Sequence, residues 1–257
     1  MNAFFQIPFE PEVLGFKLPT HLIMEYLAFF VAFRYYLYLK ARYQDLIPQQ
    51  NRLSIILGAI IGALIGSRLF GYLENPVMLN DSVQLIELFN VKTIMGGLFG
   101  GLLGVELSKK LIGESHSSGD LFTLPIIVGI IIGRVGCFLN GTNEFTYGMQ
   151  TDFFLGMNLG DHVPRHPVAL YEITFLILLF ILLKKYFDEG HWTNGMIFRL
   201  FMIVYFGFRF MIEFVKPNVF FIAGLSSIQW LCILCWVYYS QTLFKIAKHA
   251  YQKVYIL

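Results

Sequence analysis

Arginines stand in this chain where an apolar sequence can least easily hold them. Arg134 interrupts the run GIIIGRVGCFLNGTNE, and Asn140, Asn143 and Glu144 follow near its end. A second cluster, Arg165, His166, Tyr171 and Glu172, lies in PRHPVALYE and opens the next apolar run. Arg209 and Glu213 are four residues apart in a later run, which puts them on one helix face. Arg68 closes an earlier run. A charged side chain at the centre of a bilayer costs about 2.5–3.5 kcal/mol on insertion scales, so each of these residues needs a partner or a wet cavity. A guanidinium carries planar, paired donors that match phosphate oxygens. Arg68, Arg134 and Arg209, at a similar depth in three runs, read together as an anion pocket, and the anion available there is a phospholipid headgroup. Each taken alone could instead snorkel to headgroups or pair with Glu144, Glu172 or Glu213.

The elements that must hold these side chains follow from composition. Of 257 residues, 56% are hydrophobic and 14% charged, against about 25% charged in soluble domains. The apolar excess runs the whole length, which makes this a polytopic membrane protein. The net charge of +2 gives no footprint for nucleic acid, and no such partner is expected. The cysteines lie in apolar runs without metal-ligand spacing to histidine. Cys232 and Cys235 form a CxxC inside one run, too few ligands for structural zinc, and read as small buried residues. No metal is expected.

A transmembrane helix needs about 20 apolar residues. Seven runs qualify, at about 20–39, 53–73, 93–112, 121–140, 167–187, 195–214 and 225–245. The expected fold is all-α: a single transmembrane domain over 1–257 with an external loop segment at about 141–166. The opening MNAFFQIPFEPEVLGFKLPT lacks a basic start, and Pro8, Pro11 and Pro19 break it. It reads as a segment on the membrane surface, not a signal peptide. The loops after runs one, three, five and seven hold Lys40, Arg42, Arg52, Lys109, Lys110, Lys184, Lys185, Lys245, Lys248 and Lys253. The opposite side holds Lys17, Lys92, Arg165 and Lys216. Ten against four puts the N-terminus outside and the C-terminus in the cytoplasm. Arg68, Arg134 and Arg209 then share the outer half of the membrane.

Glycines recur every four residues: Gly58, Gly62 and Gly66 in run two, Gly96, Gly100 and Gly104 in run three, and Gly129 and Gly133 in run four. Small residues at this spacing let helix backbones approach in lipid, so runs two, three and four are expected to form a tight core. Gly96 and Gly97, at a helix start, also qualify as backbone donors to an anion. His162 and His166 flank Pro164-Arg165 near the arginines, whereas His21, His116, His191 and His249 show no partner pattern.

The ordered set GRVGCFLNG, PRHPVALYE and FRFMIEFVKPN, with weaker GSRLFGYLEN and MGGLFGGLLG, resembles the prolipoprotein diacylglyceryl transferases. The resemblance touches runs two to six. It implies transfer of the diacylglyceryl group from phosphatidylglycerol to the cysteine thiol of a lipoprotein precursor carrying a lipobox. A thioether forms and glycerol phosphate leaves, with no cofactor. It also implies a multi-pass protein of the bacterial cytoplasmic (inner) membrane. On this reading Arg134 and Arg209 are the family's essential arginines, Glu213 the acid that follows, and Arg68 the arginine of run two. Beside these, Gly96, Gly97, Asn140, Arg165, Tyr171 and Glu172 are expected at the substrate site from their own positions near the arginines or at a helix start. The chain departs from the family at Met95, where a histidine usually precedes Gly-Gly. It departs again at Cys137 for the asparagine of GRxGNF, at Thr142 with the glutamate displaced to Glu144, and at Asn218 for aspartate. With that histidine gone, Glu144 or His166 is the expected acceptor of the thiol proton. Two other readings compete: a transferase with a different acceptor, and a non-catalytic binding or transport protein for an anionic lipid. Transporters tend to show interrupted helices in paired halves, and this chain shows no internal repeat.

Overall fold

The computed structural model describes residues 7–13, 15–43, 45, 47–74, 91–190, 195–218, 223–245 and 248. His191, His249 and Lys253 lie outside them. The described chain is mostly helical, and its helices coincide with the apolar runs. They are α1 (Thr20–Arg42), α2 (Gln49–Glu74), α3 (Ile94–Ile112), α4 (Asp120–Asn140), α5 (Val168–Glu189), α6 (Met196–Ile212) and α7 (Ser227–Tyr238). Three helical stretches, Thr20–Arg42, Gln49–Glu74 and Asp120–Asn143, are long and apolar enough to cross a membrane. Helix α3 carries Glu106, Lys109 and Lys110 near its end, and α5 carries Glu172, Lys184 and Lys185. Phe29, Phe30, Ile60 and Ile65 on α1 and α2 are more than half exposed. Facing water, large apolar side chains exposed on each helix would be costly; facing lipid they are the ordinary outer surface.

The chain gathers into two compact units. The first contains residues 1–45, 119–198 and 214–217. Here α4 packs on α1 and α5. Gly136 governs one of these contacts: a Cβ there would stand 2.9 Å from the Met24 Cβ and 3.4 Å from the His21 ring. The opening segment folds into a two-residue hairpin, β1 (Glu12–Val13) against β2 (Phe16–Lys17). It is tied down by Phe9 N–H donating to Leu139 O at 2.8 Å and Thr20 Oγ1 donating to Phe9 O at 2.8 Å. The loop expected at about 141–166 starts with a 3-10 turn, Gly141–Asn143, and contains a second hairpin, β3 (Met157–Asn158) against β4 (Pro164–Arg165). These short antiparallel pairs are the departure from a purely α reading. Hydropathy does not report two-residue strands.

The second unit contains residues 46–118, 199–213 and 218–257. Its centre is the α2–α3 pair, where the glycine rows meet face to face. A Cβ on Gly62 would lie 2.3 Å from the Gly100 carbonyl oxygen, and one on Gly100 2.3 Å from that of Gly62. Helix α7 starts with a capping box between Ser226 and Gln229 and lies on α6 through Trp236 Nε1, which donates to Ile203 O at 3.2 Å. Cys232 and Cys235 are buried and free, as small core residues. Of the expected core of runs two, three and four, the pairing of runs two and three is present in this unit. Runs two and three pair tightly, whereas α4 uses Gly129 and Gly136 against α1, with Gly133 facing open space. Close spacing of small residues shows that a helix can be approached, not by which partner. Gly100→Ala is expected to force the α2–α3 backbones apart and cost about 1–3 kcal/mol, read as a lower melting temperature in detergent.

Candidate active site

Arg134 lies in the last two turns of α4, buried to 7% exposure, and Glu172 in the first turns of α5 is fully buried. Arg134 Nε stands 2.9 Å from Glu172 Oε1. Removing either partner would leave an uncompensated charge in a low-dielectric interior. Arg134 Nη1 also donates to Cys137 Sγ at 3.8 Å, one turn further along α4. Cys137 therefore occupies the family's asparagine position as a polar contact of the signature arginine, and not as an inert apolar filler.

Two elements converge on the same sulfur. His21, in the first turn of α1, places Nε2 3.6 Å from Cys137 Sγ. Its other nitrogen, Nδ1, lies 3.0 Å from Glu144 Oε1. Glu144 follows the 3-10 turn at the end of α4, and Gly141 makes that turn possible. Gly141 has φ of 55°, and a Cβ there would lie 2.1 Å from the Leu159 carbonyl oxygen. Asn140 ends α4 at this turn, and Asn143 Nδ2 donates to Glu10 Oε1 at 3.0 Å. Cys137 also lines a crevice with Tyr147, Leu159 and Pro167. Among the described residues, His21, Cys137 and Glu144 bring ligand-type atoms within 4.8 Å of one another. The imidazole, however, turns a different nitrogen to each neighbour, and a guanidinium sits on the sulfur. That arrangement suits proton transfer better than chelation of a cation.

The other residues singled out in the sequence divide by what they touch. Arg165 Nε donates to Asp161 Oδ2 at 2.7 Å, and its Nη1 donates to Gly148 O at 3.3 Å. Its guanidinium stacks 4.8 Å above the Tyr147 ring. The hydrogen bond from Arg165 holds the Asp161 carboxyl below its ordinary range. Arg165 thereby fastens the loop between α4 and α5. His166 Nδ1 lies 3.2 Å from the Tyr171 hydroxyl, and the His166 backbone N–H donates to Met149 O at 3.0 Å. In the second unit, Arg209 Nη2 donates to Glu213 Oε1 at 2.6 Å, both buried. Asn218 Nδ2 donates to the other oxygen of that carboxylate, a role open to an amide and closed to an ionised aspartate. Arg68 Nη1 donates to Val91 O at 3.1 Å. Gly96 packs on the Gly66 carbonyl, and the Gly97 N–H donates to Thr93 O at 3.1 Å. These two glycines serve helix packing in this structure. Met95, where the family carries histidine, is fully buried.

His21 and Cys137 are the site residues that sequence reasoning misses. A signal for both is present: in the alternation of runs expected from the sequence, run one starts and run four ends on the same side, so their termini can meet. In the sequence Cys137 is a departure from the family without a visible partner, and in the structure His21 is that partner.

A family profile described as prolipoprotein diacylglyceryl transferase matches residues 11–244. Proteins named phosphatidylglycerol–prolipoprotein diacylglyceryl transferase are similar over much of the chain. That of Nitratidesulfovibrio vulgaris (strain DP4) is 33% identical over 70% of this chain and 69% of its own. That of Bordetella bronchiseptica is 33% identical over 69% and 70%, and that of Ehrlichia ruminantium (strain Welgevonden) 35% over 64% of each. A match spanning the arginine of α4, the acid of α5 and the Arg209–Glu213 pair places this chain in the prolipoprotein diacylglyceryl transferase family.

Proposed function

We propose that the protein moves the diacylglyceryl group of phosphatidylglycerol onto the cysteine thiol of a lipoprotein precursor. The observation that carries the reading is Arg134, a buried guanidinium held by Glu172 at 2.9 Å and in contact with the site crevice through Cys137. In the reaction, the acceptor sulfur attacks the glyceryl carbon, the carbon–oxygen bond to phosphate breaks, and glycerol phosphate departs. Negative charge grows on the phosphate as it leaves, and a preorganised cation in a water-poor site stabilises that charge without reorganising. The resemblance matches Arg209 to the family's late essential arginine, and Glu213 fixes the orientation of its guanidinium. Purified protein, phosphatidylglycerol and a lipobox peptide should yield a peptide heavier by one diacylglyceryl unit. Stoichiometric lipid binding with no mass gain would instead support the lipid-binding reading.

The chain crosses the bacterial cytoplasmic membrane seven times, with the N-terminus outside and the C-terminus in the cytoplasm. The ten-to-four bias of loop lysine and arginine supports this arrangement. A cysteine introduced at Lys248 is expected to resist an impermeant thiol reagent in intact cells and to react once the membrane is opened. Labelling in intact cells would reverse the orientation.

A further inference from the structure

We propose that Glu144 and His21 form a proton relay in which His21 is the base that takes the proton of the thiol to be alkylated, with Cys137 marking where a sulfur meets that base. The inference rests on the transferase reading and names the group left open by Met95. Its basis is geometric. The Glu144 carboxylate, 3.0 Å from Nδ1, accepts the Nδ1 proton and so fixes the imidazole tautomer. Nε2 then carries the lone pair, and it is Nε2 that faces a thiol, at 3.6 Å. An acid that orients an imidazole whose far nitrogen faces sulfur is the arrangement that activates a thiol. His21 and Glu144 keep part of their side chains exposed, so substrate can reach them.

The alternatives are placed otherwise. His166 turns its Nδ1 to the Tyr171 hydroxyl. Glu144 is itself engaged by the imidazole, which makes it a positioning residue behind His21. The resident sulfur also explains the spacing of the site. In a displacement at the glyceryl carbon, the attacking sulfur and the departing phosphate oxygen lie on opposite sides of that carbon. Base and guanidinium must therefore be near one another without touching. Cys137 Sγ reaches both, 3.6 Å from the His21 imidazole and 3.8 Å from Arg134 Nη1. The acceptor thiol gives its proton to Nε2 as the sulfur–carbon bond forms. The electron pair of the broken carbon–oxygen bond leaves on phosphate, and the imidazolium, held by Glu144, returns its proton to glycerol phosphate or water.

Two measurements on the purified full-length protein test the relay. In the transfer assay, His21→Gly is expected to lose about a hundredfold or more in kcat, with KM for phosphatidylglycerol little changed, and added imidazole should restore a substantial part. Glu144→Gln should lower kcat less, and Glu144→Asp should recover some of it. A purely structural histidine would not be replaced by free imidazole. In the second measurement, iodoacetamide should alkylate Cys137 in the wild type and do so markedly more slowly in His21→Gln. Wild-type transfer with undiminished turnover in His21→Gly would overturn the relay. So would Cys137 alkylation at equal rates with and without His21, whatever the transfer assay gives. Absence of transfer in the wild type, with alkylation that still depends on His21, would remove the transferase reading and leave the relay standing.

Discussion

Arg134→Lys is expected to lower diacylglyceryl transfer about tenfold to a hundredfold while the protein still inserts and folds. Lysine keeps the charge but replaces a planar fork by one compact ammonium, and it cannot reproduce a paired grip on phosphate oxygens. Each charge-assisted hydrogen bond to the phosphate contributes about 1.5–3 kcal/mol. The Arg134–Glu172 pair sharpens the test. Glu172→Gln leaves the guanidinium in place and removes its buried counter-charge. That change should lower the melting temperature in detergent more than Arg134→Lys does, because breaking a buried pair from one side costs about 3–5 kcal/mol. Rate and melting temperature measured on both variants separate a phosphate grip from a packing role. Near-normal turnover in Arg134→Lys would sink the phosphate grip.

Arg209→Lys should show a loss of similar size, in kcat/KM for phosphatidylglycerol. Arg209 and Glu213 are one helical turn apart, with 3% and 0% of their side chains exposed. The Glu213 carboxylate accepts a second hydrogen bond from Asn218, so it is fixed before substrate arrives. Glu213→Gln is expected to reduce both turnover and thermal stability. Asn218→Ala should have a smaller effect on both, because it loosens the carboxylate without removing its charge. If Arg209→Lys kept wild-type kcat/KM and only melted earlier, Arg209 would be a structural ion pair and the assignment carried by the resemblance would fall.

Among these residues, those legible in the sequence are the ones whose partners lie within reach of one helix. Arg209 and Glu213 form an i,i+4 pair, and the structure joins them directly. The signature arginine is equally legible, because an isolated cation in an apolar run is conspicuous. Its partner is not. Glu144, Glu172 and Glu213 are equal candidates for Arg134 on charge alone, and the packing of α5 on α4 selects Glu172. The base escapes sequence reasoning for the same reason. Glu144 and His166 are close to the signature in sequence, whereas His21 is 116 residues from Cys137 and reaches it through a helix contact.

Composition and spacing alone make this chain a bundle of apolar helices with cations buried among them. Backbone polar groups in lipid must be satisfied within the helix, so long apolar runs have little choice of structure. The same residues set the chemistry those cations can perform, since a guanidinium in an apolar setting binds an anion or a carboxylate. Which groups meet is settled by packing in three dimensions. Helix association in lipid depends on close packing of small residues more than on a hydrophobic drive. Many glycine rows can satisfy that requirement, yet only the fitted surfaces choose the partner. The absence of a side chain at Gly136 brings the start of α1 to the end of α4, and with it His21 to Cys137 and Glu144.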